Sequence, residues 1–119
     1  MEPTPINIIL FCKEVSTSQS VWTLFKDGNV VAVADLEGVN TIPFWSSCER
    51  VVNFLKKIDE FDVFTPLEIP WYLFKAKWVS DLKTKKMITG VNWTGSRFEC
   101  QEEPDNLIET VESFEINIT

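Results

Sequence analysis

The 119-residue chain contains no histidine, four scattered glycines and three widely separated cysteines, and each shortage removes a class of chemistry. Without an imidazole there is no Ser/His or Cys/His nucleophilic machinery, no histidine general base and no histidine-containing metal site. Gly28, Gly38, Gly90 and Gly95 stand alone. A phosphate-cradling loop and a dinucleotide fingerprint both need clustered glycines, so no cofactor is expected. Cys12, Cys48 and Cys100 are odd in number and include no close-spaced pair, which argues against a disulfide framework and against a structural zinc. Their apolar neighbours, among them Phe11, Val51 and Phe98, make all three read as buried thiols acting as small hydrophobes. No metal is expected.

Basic residues are also few, 11 against 18 acidic ones, for a net charge of −7. The mean field therefore repels phosphate backbones and anionic membranes. Nucleic acid and membrane drop out as expected partners, leaving a protein, basic by charge complementarity, or self-association. No apolar run approaches the roughly 18–20 residues of a membrane span. Residues 6–11 have neither a basic leader nor a small-residue cleavage site, so they do not read as a secretory signal and a cytoplasmic location is the expectation. The triplets at Asn92-Trp93-Thr94 and Asn117-Ile118-Thr119 match a glycosylation acceptor, which matters only in a secreted protein.

What the chain does have is apolar bulk: 45% hydrophobic residues, with nine Phe and five Trp. Each large ring buries about 150–250 Å², so one sizeable core is expected over residues 1–119, a length that fits a single domain. Residues 6–15 are apolar at both helical and extended spacings. Periodicity leaves helix and strand open there; Pro5 ahead of the segment and the polar run from Ser16 to Ser20 favour a helix. Residues 21–26 and 29–34 alternate about Asp27-Gly28, a hairpin signal. A third strand is expected over 39–44, with Pro43 confining it to an edge or a strand end.

Ser46-Ser47-Cys48-Glu49 has the Ser-x-x-Glu form of a capping box, so a helix is expected from Ser46, with Cys48, Val51, Val52, Leu55 and Ile58 inward. Residues 61–64 read as extended, and Pro70 as the first turn of a helix whose buried stripe is Trp71, Phe74, Trp78 and Leu82. A strand over 87–93, a turn at Gly95, a further short strand over 97–101 and a helix from Pro104 through Phe114 complete the reading, with residues 116–119 fraying or adding an edge strand. The expected class is α+β: about four to five mostly antiparallel strands with about three to four helices packed chiefly on one face.

Candidate binding residues follow from charge and ring placement. Asp59, Glu60 and Asp62 form the densest acidic group, but Phe61 stands among them and no calcium-loop pattern surrounds them. Trp71 and Trp93 stand at a helix start and a strand end, where a ring can be partly exposed and serve as a contact anchor. These five residues are the candidate partner-binding set, and no catalytic residue is assigned. The function expected is non-enzymatic protein binding. The alternative is a small-ligand or regulatory domain with an apolar pocket between helix and sheet.

Val21-Trp22-Thr23-Leu24 with Asp27-Gly28, Ile42-Pro43-Phe44-Trp45-Ser46 running into a helix, Trp78 to Leu82, and Gly90-Val91-Asn92-Trp93 ahead of a final Leu107-containing helix resemble one bacterial domain-of-unknown-function family, number twenty-seven fifty. The resemblance covers about residues 20–111. It implies a stand-alone α+β domain and brings no catalytic residues with it. In general make-up the chain also resembles mobile-gene-cassette cargo and immunity proteins, which implies a protein partner.

Overall fold

A computed structural model describes residues 6–96 and 98–118, with side chains described up to residue 115. Pro5, Arg97 and Thr119, which entered the sequence reading, lie outside the described residues. Ile8, Phe11, Cys12 and Val15, all buried, follow the i, i+3, i+4, i+7 spacing of a helix face. The segment is accordingly helix α1 (Ile6–Ser18). It stops where Gln19 takes a left-handed φ of +60° and its N–H returns to the Val15 carbonyl at 2.7 Å.

The hairpin forms as strand β1 (Ser20–Lys26) and strand β2 (Asn29–Val30), its turn using positive φ at Asp27 and Gly28. The second arm is shorter than expected. After Val30 the chain leaves β1, runs through Val31 and Ala32, and enters a different sheet as β3 (Val33–Ala34). Strand β4 (Asn40–Phe44), helix α2 (Cys48–Lys57) and a 3₁₀ turn (Asp59–Phe61) follow. Next come strand β5 (Thr65–Pro70) and a helical run made of α3 (Trp71–Leu73), a π turn (Phe74–Trp78) and α4 (Val79–Thr84). Strands β6 (Ile88–Val91) and β7 (Gln101–Glu102) and helix α5 (Pro104–Ile118) complete the order.

The class is α+β, and the strands divide between two sheets, β2-β1-β5 and β3-β4-β6-β7. All pairings are antiparallel except β4 with β6. The sheets are stitched by reciprocal backbone hydrogen bonds between Trp22 and Trp45, at 2.8 and 2.7 Å. Side chains alternate across a strand, and the two faces carry separate cores. Val21, Ile42 and Phe44 face α1, the α3–α4 run and α5. Leu24 and Trp45 face Val51 and Phe54 of α2, together with Trp93.

Prolines account for the departures at β5 and at the start of α3. Strand β5 contains Pro66 and Pro70 yet pairs with β1 over six residues, from Thr65 opposite Phe25 to Pro70 opposite Ser20. It is an edge strand, and residues four apart turn their nitrogens to the same side, so both missing N–H groups share one side of a strand with a single partner. Pro70 consequently ends β5 and sits just before helix α3, not within its first turn. Strand β4 is interior, but Pro43 is its next-to-last residue, where β3 no longer runs alongside. There the Pro43 carbonyl accepts the Thr23 hydroxyl at 2.7 Å.

Helix α2 is capped one residue later than the capping-box pattern implies. The Ser47 hydroxyl accepts the Arg50 N–H at 3.2 Å. Ser46 is unavailable, its amide and hydroxyl being engaged with Asn92 and Glu14. Along α2, Val51 and Phe54 are buried and Val52, Leu55 and Ile58 are half-buried, whereas Cys48 is exposed on the outward side. The expected inner stripe was thus rotated, with Phe54 missing from it. Residues 61–64 are turn instead of extended, and among the described residues of the strand expected over 97–101 only Gln101 lies in a strand, β7, with the Cys100 carbonyl accepting the Val91 N–H at 2.9 Å just before it. Helix α5 buries Leu107 and Val111 and continues to Ile118 where fraying or an edge strand was expected.

Candidate functional site

The passage between the two sheets creates the main concavity. Because the chain quits β1 after Val30 and joins β4 only at Val33, the sheet edges diverge at Val31 and Ala32. The Val31 N–H still reaches the Leu24 carbonyl at 3.0 Å, but Ala32 is exposed. The helical run from Trp71 to Thr84 crosses this gap, and the space left between is a groove of about 560 Å³. Asn29, Val30 and Ala32 form one wall and Trp78 and Met87 the other, with Ile42 and Leu82 beneath. Lys77, Asp81 and Lys85 stand at the rim.

The helix reaches this groove through its π turn. The Val79 N–H bonds the Phe74 carbonyl, five residues back, so one extra residue enters the helix between Phe74 and Trp78. Such insertions occur mostly as single turns and frequently at functional sites. Here the insertion supplies Lys77 and Trp78 to the groove. Trp78 is held from behind by an edge contact with Phe44, centroids 6.1 Å apart at 78°.

A second polar constellation ties α1 to β6 and to the start of α2. Asn92, buried and at φ +48°, accepts the Ser46 N–H at 3.0 Å, while the Ser46 hydroxyl donates to Glu14 Oε1 at 2.7 Å. Glu14 also receives Arg50 through two bonds, Nε to Oε1 at 2.9 Å and Nη2 to Oε2 at 2.7 Å. The hydrogen-bonded Arg50 guanidinium holds the Glu14 carboxyl below its ordinary value of 4.5; partial burial opposes this and the Ser46 hydroxyl adds to it. A depressed carboxyl stabilises the fold fully above 4.5, and that contribution disappears as pH falls through the lowered value. Glu14→Gln should therefore lose less stability than the parent protein between about pH 5 and about pH 3 in urea titrations. Both partners are about a third exposed, which limits the difference to about 1 kcal/mol or less. Glu102, raised by burial, acts with the opposite sign in both proteins.

The thiols divide by burial. Burial pushes Cys12 up to about 12, with the Glu102 carboxylate adding to the rise, and burial raises Cys100 as well. Cys48 is exposed, contrary to the expectation of three buried thiols, because α2 turns its first residue outward. Thiolate character and access control reactivity. Ellman's reagent should accordingly titrate one thiol in the native protein, none in Cys48→Ser, and all three of the parent only after unfolding.

The five sequence-derived candidates do not form one patch. Asp59 and Glu60 lie on the 3₁₀ turn and Asp62 caps it, all three exposed beside Val63, itself 57% exposed. Phe61 anchors that turn on Trp93 with ring centroids 5.6 Å apart. Trp93 is nevertheless buried, stacked on Phe98 at 4.6 Å with its indole N–H bonded to the Ser96 carbonyl. Trp71 is fully buried in the other core, stacked on Phe74 at 5.1 Å, and its indole N–H has no hydrogen-bond partner among the described residues, whereas its backbone N–H donates to the Gln19 carbonyl at 2.8 Å. Neither indole offers a face to a partner: Trp71 because Pro70 ends a paired strand and directs the next side chain inward, Trp93 because the aromatic cluster closes over it. Ala32, Lys77, Lys85 and Met87 were missed. The apolar run Val30-Val31-Ala32-Val33 carries no sign of the sheet change, and the π turn has no sequence signature.

Among the described residues, no three Cys, Asp or Glu side chains converge as a metal-holding group, and no helix is long and apolar enough to cross a membrane. The molecule is a small α+β protein with a half-open, largely apolar groove between sheet edge and helix. Residues 8–111 match the family described as Protein of unknown function (DUF2750), and the chain belongs to that family. The match starts within α1, earlier than the resemblance read from residue 20. No curated protein matches the chain.

Proposed function

We propose that the protein is a non-enzymatic binding module that holds a small, apolar-bodied ligand in the groove between β2, β4 and the π-turn helix. The observation that carries this reading is the π turn itself, which interrupts an otherwise regular helix where Lys77 and Trp78 meet the groove. Size supports it, since about 560 Å³ falls within the roughly 300–1,000 Å³ typical of ligand pockets. Binding, not catalysis, suits the residues present: the chain has no histidine, and the Ser46 hydroxyl is buried and committed to Glu14.

Ala32 lines the groove and is exposed, so Ala32→Trp fills the space without disturbing either core. The neutral dye Nile red should fluoresce with the parent protein and lose that signal in Ala32→Trp while the melting temperature stays level. Equal fluorescence in both proteins contradicts the reading.

A second reading, a basic protein partner, is favoured by the exposure of Asp59, Glu60 and Asp62 around Val63. Opposite fields raise association rates and salt screens them. In this reading Glu60→Lys with Asp62→Lys slows capture of such a partner and flattens its salt dependence, the fold being unaffected.

A further inference from the structure

Charge along the groove's helix is distributed unevenly. Lys75 and Lys83 reach across to α5, pairing with Glu112 at 3.3 Å and Asp105 at 2.7 Å. Lys77 and Lys85 turn the other way, to the groove rim, and make no ion pair among the described residues. In a chain of net charge −7, two unpaired ammonium groups beside one apolar opening run against the mean composition. Asp81 stands between them at four-residue steps, on the same side of the helix, leaving a local excess of one positive charge.

We infer that the groove takes an amphipathic organic monoanion, its apolar body over Ile42, Trp78 and Leu82 and its charged head at the rim between Lys77 and Lys85. This rests on the groove being the binding site and adds the chemical class of its occupant. A polyanion such as a nucleotide polyphosphate does not fit, because Asp81 repels extra negative charge and the concavity lacks the clustered glycines of a phosphate cradle. A cation meets two ammonium groups. A neutral apolar molecule gains the floor but nothing from the rim.

The test is competition against groove-bound Nile red at low ionic strength by three probes of one chain length, each below its micellar concentration: decanoate, decan-1-ol and decyltrimethylammonium. Decanoate should displace the dye at a concentration roughly fivefold lower than decanol, as expected for one partly screened charge contact, with the ammonium compound weakest. Lys77→Ala with Lys85→Ala should erase the advantage of decanoate over decanol, read as the ratio of their displacing concentrations within the variant itself, while the melting temperature stays level. Equal potency of decanoate and decanol in the parent protein overturns the monoanion while leaving the groove reading standing. Failure of all three to displace a dye that Ala32→Trp excludes overturns it too. Dye that still binds Ala32→Trp marks failure of the groove reading itself, and the inference falls with it.

Discussion

Trp45→Ala lowers the unfolding free energy by about 3–5 kcal/mol, the range for removing a fully buried large aromatic ring. Trp45 is 1% exposed, packs on Phe54 with centroids 5.0 Å apart, and donates its indole N–H to the Trp93 carbonyl at 2.9 Å. Truncation opens a cavity in the α2 core and orphans that carbonyl, at the point where Trp22 and Trp45 join the two sheets. Leu55→Ala is the contrast. Leu55 is half-buried at the edge of the same core, and its loss should cost about 1 kcal/mol by the area it removes from water. Urea midpoints separate the two, and a near-native midpoint for Trp45→Ala contradicts this architecture.

Asn92→Ala is expected to have the next largest effect. The side-chain oxygen of Asn92 is the acceptor for the buried Ser46 N–H, and leaving that donor unpaired costs about 1–3 kcal/mol. Asn92 also holds φ at +48°, a region that asparagine tolerates and alanine does not, which adds about 1–2 kcal/mol. Asn92→Gly separates the two causes. Glycine adopts the same φ without steric penalty, so it should recover about 1 kcal/mol relative to alanine while still lacking the hydrogen bond. Equal stability of the two variants would place the whole effect on the hydrogen bond and contradict the backbone argument.

How far residues dictate structure here depends on the range of the interaction. The α+β class, the turn at Asp27-Gly28, the inward stripe Trp71, Phe74 and Leu82, and the burial of Leu107 and Val111 were all legible, because local periodicity and turn chemistry decide them. Strand β5 was not. Pro66 and Pro70 argue against a strand until one knows that β1 lies on one side only. The cap at Ser47 in place of Ser46 depends on Asn92 and Glu14, 46 and 32 residues away from Ser46. The candidate site fared least well. Asp59, Glu60 and Asp62 are exposed as expected, but Trp71 and Trp93 are buried by contacts no window around them reveals. The groove arises where two edges diverge and a helix takes an extra residue, and both events are tertiary. The alternative reading named a pocket between helix and sheet but none of the residues that line this groove.

The central claim is that this groove is where the protein binds, and the most direct measurement is a chemical-shift map of the ¹⁵N-labelled protein titrated with Nile red. Perturbation should concentrate on the Trp78 indole N–H and on the amides of Val30, Ala32 and Met87, with the Trp71 indole and the 3₁₀ turn around Glu60 unmoved. Shifts centred on the exposed Val63, or spread evenly over the surface, would contradict it.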